Sequence, residues 1–193
     1  MKTKKVFILL GHPDADSLNN TLADEYERGA NEAGHEVRRM NLGEMVFDPI
    51  LHQGYRVMQE LEPDLVAFQD NVKWCDHFVI FYPSWWSTMP AMLKGLFDRS
   101  WLPGFAYNFI DGGYMWKRLM KGKSASMVVT SDTAPIIQRI IFGDTTNELR
   151  KGILWFAGFG PIYVHKFGYL KHFGMNRRFS LHKQAYNLGR KAK

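Results

Sequence analysis

Residues 77–90 read His-Phe-Val-Ile-Phe-Tyr-Pro-Ser-Trp-Trp-Ser-Thr-Met-Pro, and the side chains at 78–82 are all apolar or aromatic. A strand that is apolar on both faces is typical of the centre of a parallel sheet that helices cover on both sides. The run then leads directly into a loop that carries Trp85 and Trp86. The stretch therefore predicts an α/β fold with a candidate ligand loop at the carboxyl end of a central strand.

Four further short apolar runs predict strands, and they lie at residues 6–10, 37–40, 125–130 and 162–167. Segments with helical spacing separate these runs, so strands and helices alternate along the chain. Alternation of this kind predicts a doubly wound five-stranded parallel sheet with helices on both faces. We expect one domain over residues 1–193, in which residues 101–123 form a long glycine-rich and aromatic connection.

The predicted helices follow from apolar spacing and from proline positions. Leu22, Tyr26 and Ala30 mark a first helix, with Asn19 or Asn20 as its N-cap. Further helices are predicted at 63–73 and 90–100, across 149–156 and from about residue 177 onward. On the third helix we expect Lys94 and Arg99 to lie on a solvated face and Asp98 to pair locally.

Composition and charge limit the classes of partner that the protein is expected to bind. The chain carries a net charge of +6, but its Lys and Arg residues are spread out, which favours a solvated basic surface over nucleic acid binding. No apolar run reaches the roughly 18 to 20 residues of a membrane span, so no membrane insertion is expected. The single Cys75 agrees with a cytoplasmic location. The seven histidines show no pair at metal-ligand spacing with nearby acids, and we predict no metal site.

Two loops carry the candidate chemistry. The loop after the first strand, residues 11–20, leads into a helix start, where hydroxyl and amide side chains and free backbone N–H groups can bind an anion. The alternative is a capped turn without a ligand. In the loop after the third strand, Trp85 and Trp86 can form a slot for a flat ring. The alternative there is that both indoles fill the core.

In their order along the chain, five segments resemble the NAD(P)H quinone reductase family of flavodoxin-like flavoproteins. They are residues 11–13, 17–19, 83–86, 90–99 and 104–107. The resemblance implies a flavodoxin-like sheet with strand order 2-1-3-4-5.

The resemblance also implies a site for a flavin. Its phosphate or pyrophosphate would lie on His12, Ser17, Leu18 and Asn19. Its ring would lie among residues of the second and third loops, namely Pro83, Ser84, Trp85, Trp86, Ser87, Thr130, Ser131 and Asp132. A further segment, Phe105, Ala106, Tyr107 and Asn108, matches the part of the family that closes the substrate pocket, often from the partner subunit.

The chain departs from the family at its third loop. The family usually has Thr-Thr-Gly-Gly there, whereas this chain has Thr130, Ser131, Asp132 and Thr133. The family's quinone reductases place a Tyr and a His just after this loop, and residues 136–141 contain neither. The family's proton relay is therefore not expected here.

From this resemblance we expect an NAD(P)H dehydrogenase (quinone)-type flavoenzyme that reduces quinones or similar flat aromatic acceptors by ping-pong hydride transfer. The flavin N5 would carry the hydride, so no catalytic side chain is predicted. FMN is preferred, with FAD as the alternative, and NADH or NADPH is the donor. A homodimer is expected, with residues 101–116 as candidate interface. The alternatives are a flavin-bearing regulatory or redox-sensing subunit of a transporter or other protein, and a one-electron carrier.

Overall fold

The computed structural model describes residues 2–110, 114–168 and 175–193, except for the side chains of 175–177. Its strands are β1 Lys5–Leu10, β2 Glu36–Asn41, β3 His77–Pro83, β4 Tyr107–Phe109, β5 Trp116–Arg118, β6 Ser124–Thr130 and β7 Ile162–Phe167. Five of them form a parallel sheet in the order β2-β1-β3-β6-β7. Since β6 and β7 are the fourth and fifth predicted strands, the predicted doubly wound sheet and its order are confirmed.

The helices are α1 Leu18–Glu32, α2 Pro63–Trp74, α3 Ala91–Ser100, α4 Pro135–Phe142 and α5 Met175–Lys191, and a π-helical segment spans Glu148–Trp155. Four predicted helices correspond to α1, α2, α3 and α5, and the predicted helix across 149–156 is the π-helical segment. Helix α4 was not predicted. Its four isoleucines lie on one face at helical spacing, but β-branched residues favour a strand as readily as a helix.

The predicted N-cap of α1 was wrong. Ser17, not Asn19 or Asn20, caps the helix, since its backbone is extended and its Oγ accepts a hydrogen bond from the Asn20 N–H at 3.3 Å. Asn19 is instead turned inward and buried. The inward position of Asn19 bears on the site described below.

The sheet divides the core into two layers. Side chains that alternate along β1 and β3 point to opposite faces, as the twofold period of a strand requires. Val6, Ile8 and Leu10 pack with α1 and α5, whereas Phe7 and Leu9 pack with α2, α3 and the π-helical segment. Every residue of β3 is buried, as its apolar sequence predicts for the central strand.

Helices α1 and α5 cross in close contact through two glycines. A Cβ at Gly29 would lie 2.2 Å from the carbonyl oxygen of Tyr186, and a Cβ at Gly189 would lie 1.9 Å from that of Tyr26. Neither distance allows a side chain, because real Cβ atoms do not approach a backbone oxygen this closely. The two glycines therefore let the helix backbones touch.

One surface prediction was wrong and another was confirmed. The Lys94 ammonium pairs with Asp98 at 2.6 Å on α3, as expected. Arg99 does not lie on the solvated face, since only 1% of its surface is exposed. Its guanidinium pairs with Glu62 at 2.8 Å and donates to the Glu60 carbonyl oxygen at 2.7 Å, so it fastens the segment before α2 onto α3. A buried arginine is stable only with such partners.

The long connection after α3 folds into a small hairpin of β4 and β5, with Tyr107 opposite Arg118 and Phe109 opposite Trp116. The Trp116 ring stacks on Phe156 at 4.4 Å between centroids, which holds the hairpin against the π-helical segment. Among the described residues, no helix is long and apolar enough to cross a membrane.

His77, at the start of β3, is fully buried, and its Nδ1 lies 2.8 Å from the Ser124 Oγ. Burial lowers the pKa of His77 to about 3, and nearby Lys4 acts in the same direction. An unfolded histidine has a pKa of about 6.5, so below that pH the unfolded chain takes up a proton that the folded chain does not. This difference destabilises the fold progressively from about pH 6.5 down to about pH 3.

We predict that His77 contributes about 2 kcal/mol to the loss of unfolding free energy between pH 7.5 and pH 5.0. The variant His77→Gln should lose less stability over this interval, whatever its stability at pH 7.5. Urea denaturation at both pH values measures the difference, with His182→Gln on α5 as the control. Burial also lowers the pKa of His165, which accounts for a residual slope. An unchanged pH dependence in His77→Gln would contradict the assignment.

Candidate active site

Three loops meet at the carboxyl edge of the sheet because β1, β3 and β6 are parallel neighbours. Residues 11–17 follow β1, residues 84–90 follow β3, and residues 131–134 follow β6. The loop starts are joined by backbone hydrogen bonds: Gly11 N–H donates to Phe81 O at 2.7 Å, and Ser84 N–H donates to Thr130 O at 2.7 Å. The sequence-predicted ligand loops thus form one continuous surface.

The first loop ends in the N-terminus of α1. Backbone N–H groups of Leu18 and Asn19 belong to the first turn, where a helix has no internal acceptors for them. The N–H groups of Asn20 and Thr21 already donate to the Ser17 carbonyl oxygen. Ser17, Leu18 and Asn19 therefore lie together, as predicted, at a helix start that favours an anion.

Arg39 on β2 supplies a cation beside this helix start, which was not predicted from the sequence. Its guanidinium donates to the Asn20 Oδ1 and pairs with Asp24 at 2.6 Å and with Glu27 at 3.0 Å. Linear spacing gives no signal for it, because the contact depends on β2 lying beside β1. The paired acids offset its charge, so the loop presents mainly neutral donors to a ligand.

Asn19 joins the first loop to the third. Its Nδ2 donates to the Thr130 Oγ1 at 2.9 Å, and both side chains are buried. Within the part of the chain that the structure describes, the Asn19 Oδ1 is buried without a hydrogen-bond partner. Such an atom carries a free-energy cost unless a ligand or water donates to it. The orphaned oxygen and the free helix N–H groups fit a ligand that has both hydroxyls and an anionic group.

The loop after β3 turns sharply at its two central residues. Trp85 and Thr88 exchange backbone hydrogen bonds of 2.9 and 3.0 Å, and the residues between them have positive φ, 50° at Trp86 and 66° at Ser87. This is the arrangement of a type I′ turn, which normally requires Asn or Gly. Here a tryptophan and a serine occupy these positions at a cost in backbone strain.

Neither tryptophan fills the core. Trp86 is 100% exposed and Trp85 is 44% exposed, which excludes the packing alternative for both indoles in this chain. The His12 ring meets the Trp85 ring edge to face, with 5.4 Å between centroids. The His12 Nδ1 accepts a hydrogen bond from the Asp14 backbone N–H at 2.9 Å, which holds the imidazole next to the Trp85 indole.

The second and third loops are further tied to the elements that follow them. The Ser84 Oγ accepts from the Gln138 Nε2 at 2.9 Å, and Gln138 is the buried residue of α4. Ser131 donates through its N–H to Phe167 O and through its Oγ to Thr133 O, while Asp132 is exposed. Gln138 was missed from the sequence, although a single amide among isoleucines is a signal for such a role. Pro83 is buried at the end of β3.

The predicted substrate segment lies apart from these contacts. Phe105 and Ala106 are buried in the core beside Trp101. Tyr107 is half-buried and contacts Phe109 and Phe156, and burial raises its pKa. Asn108 is exposed, and its Oδ1 accepts from the Gly104 N–H at 2.7 Å. Only Tyr107 and Asn108 are therefore accessible at the surface of this chain.

A family model described as the flavodoxin-like fold matches residues 4–187. The chain belongs to this family. It is similar to the NAD(P)H oxidoreductase YcaK of Escherichia coli strain K12, at 29% identity over 66% of this chain and 70% of the relative. It is also similar to the human ribosyldihydronicotinamide dehydrogenase [quinone], at 29% identity over 82% of this chain and 79% of the relative.

Two crystal structures share the fold over almost the whole chain. Smu.1420 of Streptococcus mutans UA159 has a TM-score of 0.83 at 26% identity and covers 97% of this chain and 99% of its own. An FMN-dependent NADH-azoreductase of Bacillus anthracis in complex with FMN has a TM-score of 0.75 at 16% identity, with coverage of 99% and 100%. The relatives confirm the predicted relationship to NAD(P)H quinone reductases, and the chain is an oxidoreductase.

We predict that Ser87→Gly stabilises the protein by about 1 kcal/mol, because glycine adopts a positive φ without the steric cost that serine bears. The control is Ser87→Ala, which removes the hydroxyl but keeps the Cβ and should bring no gain. Urea denaturation of the three proteins measures the difference. Equal stability of the glycine and alanine variants would show that the turn carries no such strain.

Proposed function

We propose that the protein is a flavin-dependent NAD(P)H oxidoreductase that reduces quinones or similar flat aromatic acceptors by ping-pong hydride transfer. The proposal rests on the exposed tryptophan pair, which lies on a strained turn. Hydrogen bonds from Ser84 to Thr130 and from Asn19 to Thr130 connect this turn to the free N-terminus of α1. An exposed indole pair at such an edge suits a planar ligand. Residues 1–193 would act as one flavin-binding domain, and a cytoplasmic location remains a prediction.

The chain's own residues would hold the flavin in three places. Ser17 and the N–H groups of Leu18 and Asn19 would bind its phosphate, with the His12 ring alongside. The Asn19 Oδ1 would accept from a hydroxyl of the ligand. Ser84, Trp85, Trp86 and Ser87 would line one edge of the ring, and Thr130, Ser131 and Asp132 would line another.

The flavin would supply the hydride chemistry between reduced nicotinamide and the acceptor, which the protein side chains do not provide. The protein orients the ring, excludes water and stabilises negative charge on it. The Ser131 N–H is already engaged by Phe167 O and is not available for this purpose. The N–H groups of Trp86 and Ser87 take no part in the two hydrogen bonds of their turn, so they are the better candidates for stabilising negative charge on the ring.

FMN is the preferred flavin, and FAD is the alternative. The phosphate loop has a helix start for one phosphate group, and the FMN in the azoreductase on the same fold agrees with this preference. A homodimer is also proposed. Tyr107 and Asn108 would close the partner subunit's pocket, and the exposed Phe109 and Ile110 beside them offer apolar interface area.

A second candidate function rests on α4. Its side chains Ile136, Ile140, Ile141 and Phe142 are each more than half exposed, directly after the third loop. Apolar surface of this kind favours a docking role. The protein would then be a flavin-bearing regulatory or redox-sensing subunit, with slow turnover and redox-dependent capture of a protein partner.

The purified protein tests the proposal directly. Its chromophore is released and identified by absorbance and mass, and oxidation of NADH and NADPH is then followed with a simple benzoquinone. We expect bound FMN and turnover. Protein that takes up no flavin, or that holds flavin but oxidises neither nicotinamide, would overturn the proposal.

We predict that Trp86→Ala lowers kcat/KM for benzoquinone at least about fivefold, because it removes an aromatic wall of the ring site, where a base or ring stacking contact contributes about 1 to 3 kcal/mol. The fold should be unaffected, since Trp86 is fully exposed. Val66→Ala, an exposed apolar side chain on α2, is the control. Unchanged turnover in Trp86→Ala would show that this indole does not contact the reacting groups.

A further inference from the structure

A cavity opens beside the third loop, at the edge of the sheet. It has a volume of about 550 Å³ and lies between the start of α4, the end of β7 and the π-helical segment. Its lining residues are Pro135, Ile136, Arg139, Asp144, Thr146, Arg150, Val164 and Lys166. The volume lies in the range of cavities that bind small organic ligands.

Three cations and one acid line the cavity, so its formal charge is +2. Asp144 pairs with Arg150 at 3.0 Å and with Lys166 at 3.2 Å. Burial of Asp144 opposes its ionisation, but hydrogen bonds from Thr146 and the charge of Lys166 outweigh burial and lower its pKa to about 2. The acid is therefore charged at neutral pH and positions two of the cations.

Two of the cations keep unused hydrogen-bonding capacity. The Arg150 Nη2 donates to Asp144 and Asn147, whereas its Nε is buried without a partner among the described residues. Within the same part of the chain, no hydrogen bond or ion pair engages the guanidinium of Arg139, which is exposed on α4. Guanidinium groups with unpaired N–H donors bind phosphate readily, because the planar donors match the phosphate oxygens.

The cavity also has an apolar wall. Pro135, Ile136 and Val164 are its apolar lining residues, so the cavity combines apolar surface for a flat base with donors for an anion. An isolated inorganic phosphate would leave the apolar wall unused. A nucleotide uses both the apolar wall, through its base, and the cationic donors, through its phosphate.

The position of the cavity relates it to the proposed flavin site. Pro135 follows the third loop directly, and β7 is the neighbour of β6 in the sheet. Adjacent strands lie about 4.8 Å apart, so the end of β7 lies on the order of 10 Å from the end of β3, where the tryptophan turn begins. A dinucleotide whose nicotinamide meets the ring at that turn can extend its adenosine half into the cavity.

We propose that this cavity binds the 2′-phosphate of the adenosine half of NADPH and makes the enzyme prefer NADPH to NADH. The inference rests on the proposed function, because it assigns the donor of that same site. A dianionic 2′-phosphate matches the formal charge of +2, with Arg139 and Arg150 as its donors and Lys166 as a further cation. Ile136 and Val164 contact the adenine.

Steady-state kinetics with both donors tests the assignment. Arg139→Gln should lower kcat/KM for NADPH about tenfold and leave kcat/KM for NADH within twofold, since one charge-assisted hydrogen bond to phosphate is lost. Lys166→Gln should act in the same direction. Lys183→Gln, which removes an exposed cation of α5 outside the cavity, should change neither value. Equal losses with both donors would place the diphosphate, not the 2′-phosphate, in the cavity and overturn the assignment.

Calorimetric titration with adenosine 2′,5′-bisphosphate provides a readout that needs no turnover. We expect tighter binding than for adenosine 5′-monophosphate in the unaltered protein and loss of this difference in Arg139→Gln. The titration distinguishes the proposed function from the cavity assignment. A protein that oxidises no nicotinamide but binds the bisphosphate through Arg139 would refute the proposed function alone. Equal binding of the two nucleotides would refute the cavity assignment, even in an enzyme that oxidises NADH with benzoquinone.

Discussion

The parallel pairing of β3 with β1 on one side and β6 on the other determines where everything else lies. Because the three strands run in the same direction, their carboxyl ends, and the loops that follow them, share one edge. Backbone hydrogen bonds from Gly11 to Phe81 and from Ser84 to Thr130 extend this pairing past the ends of the strands. The loops therefore begin in fixed positions, and the side-chain contact of Asn19 with Thr130 closes the arrangement.

Charge is distributed unevenly along this edge. The loop at α1 offers neutral donors, and its nearby Arg39 is offset by Asp24 and Glu27. The cavity at β7 instead holds a surplus of cations around Asp144. An anion bound at α1 therefore depends on backbone geometry, whereas one bound at β7 depends on Coulomb attraction. Binding at β7 is accordingly the more sensitive of the two to ionic strength.

The sheet was predictable from the sequence because its signal is local. Each strand is a short apolar run, and the order of β1, β2 and β3 follows from family resemblance and from the rules that govern parallel connections. The predicted flavin loops come together for the same reason. The exposed state of Trp86 was not predictable, since the sequence alone left packing and ligand contact open.

Three other features depend on contacts between distant segments, which linear spacing does not reveal. Arg99 becomes buried because Glu62 and the carbonyl oxygens before α2 reach it across the fold. Gln138 finds Ser84 only when α4 folds over the end of β3. Helix α4 itself was missed because a run of isoleucines favours a strand as readily as a helix.

The close crossing of α1 and α5 has a consequence for how the chain reaches this structure in the cell. Tyr26 and Gly29 emerge from the ribosome early, whereas Tyr186 and Gly189 emerge only after all five strands have been made. At a synthesis rate of about 5 to 20 residues per second, α1 waits roughly ten seconds or more for its partner helix. During that interval one face of the nascent sheet, with Val6, Ile8 and Leu10, is only partly covered, so its apolar side chains stay accessible to water until α5 is made.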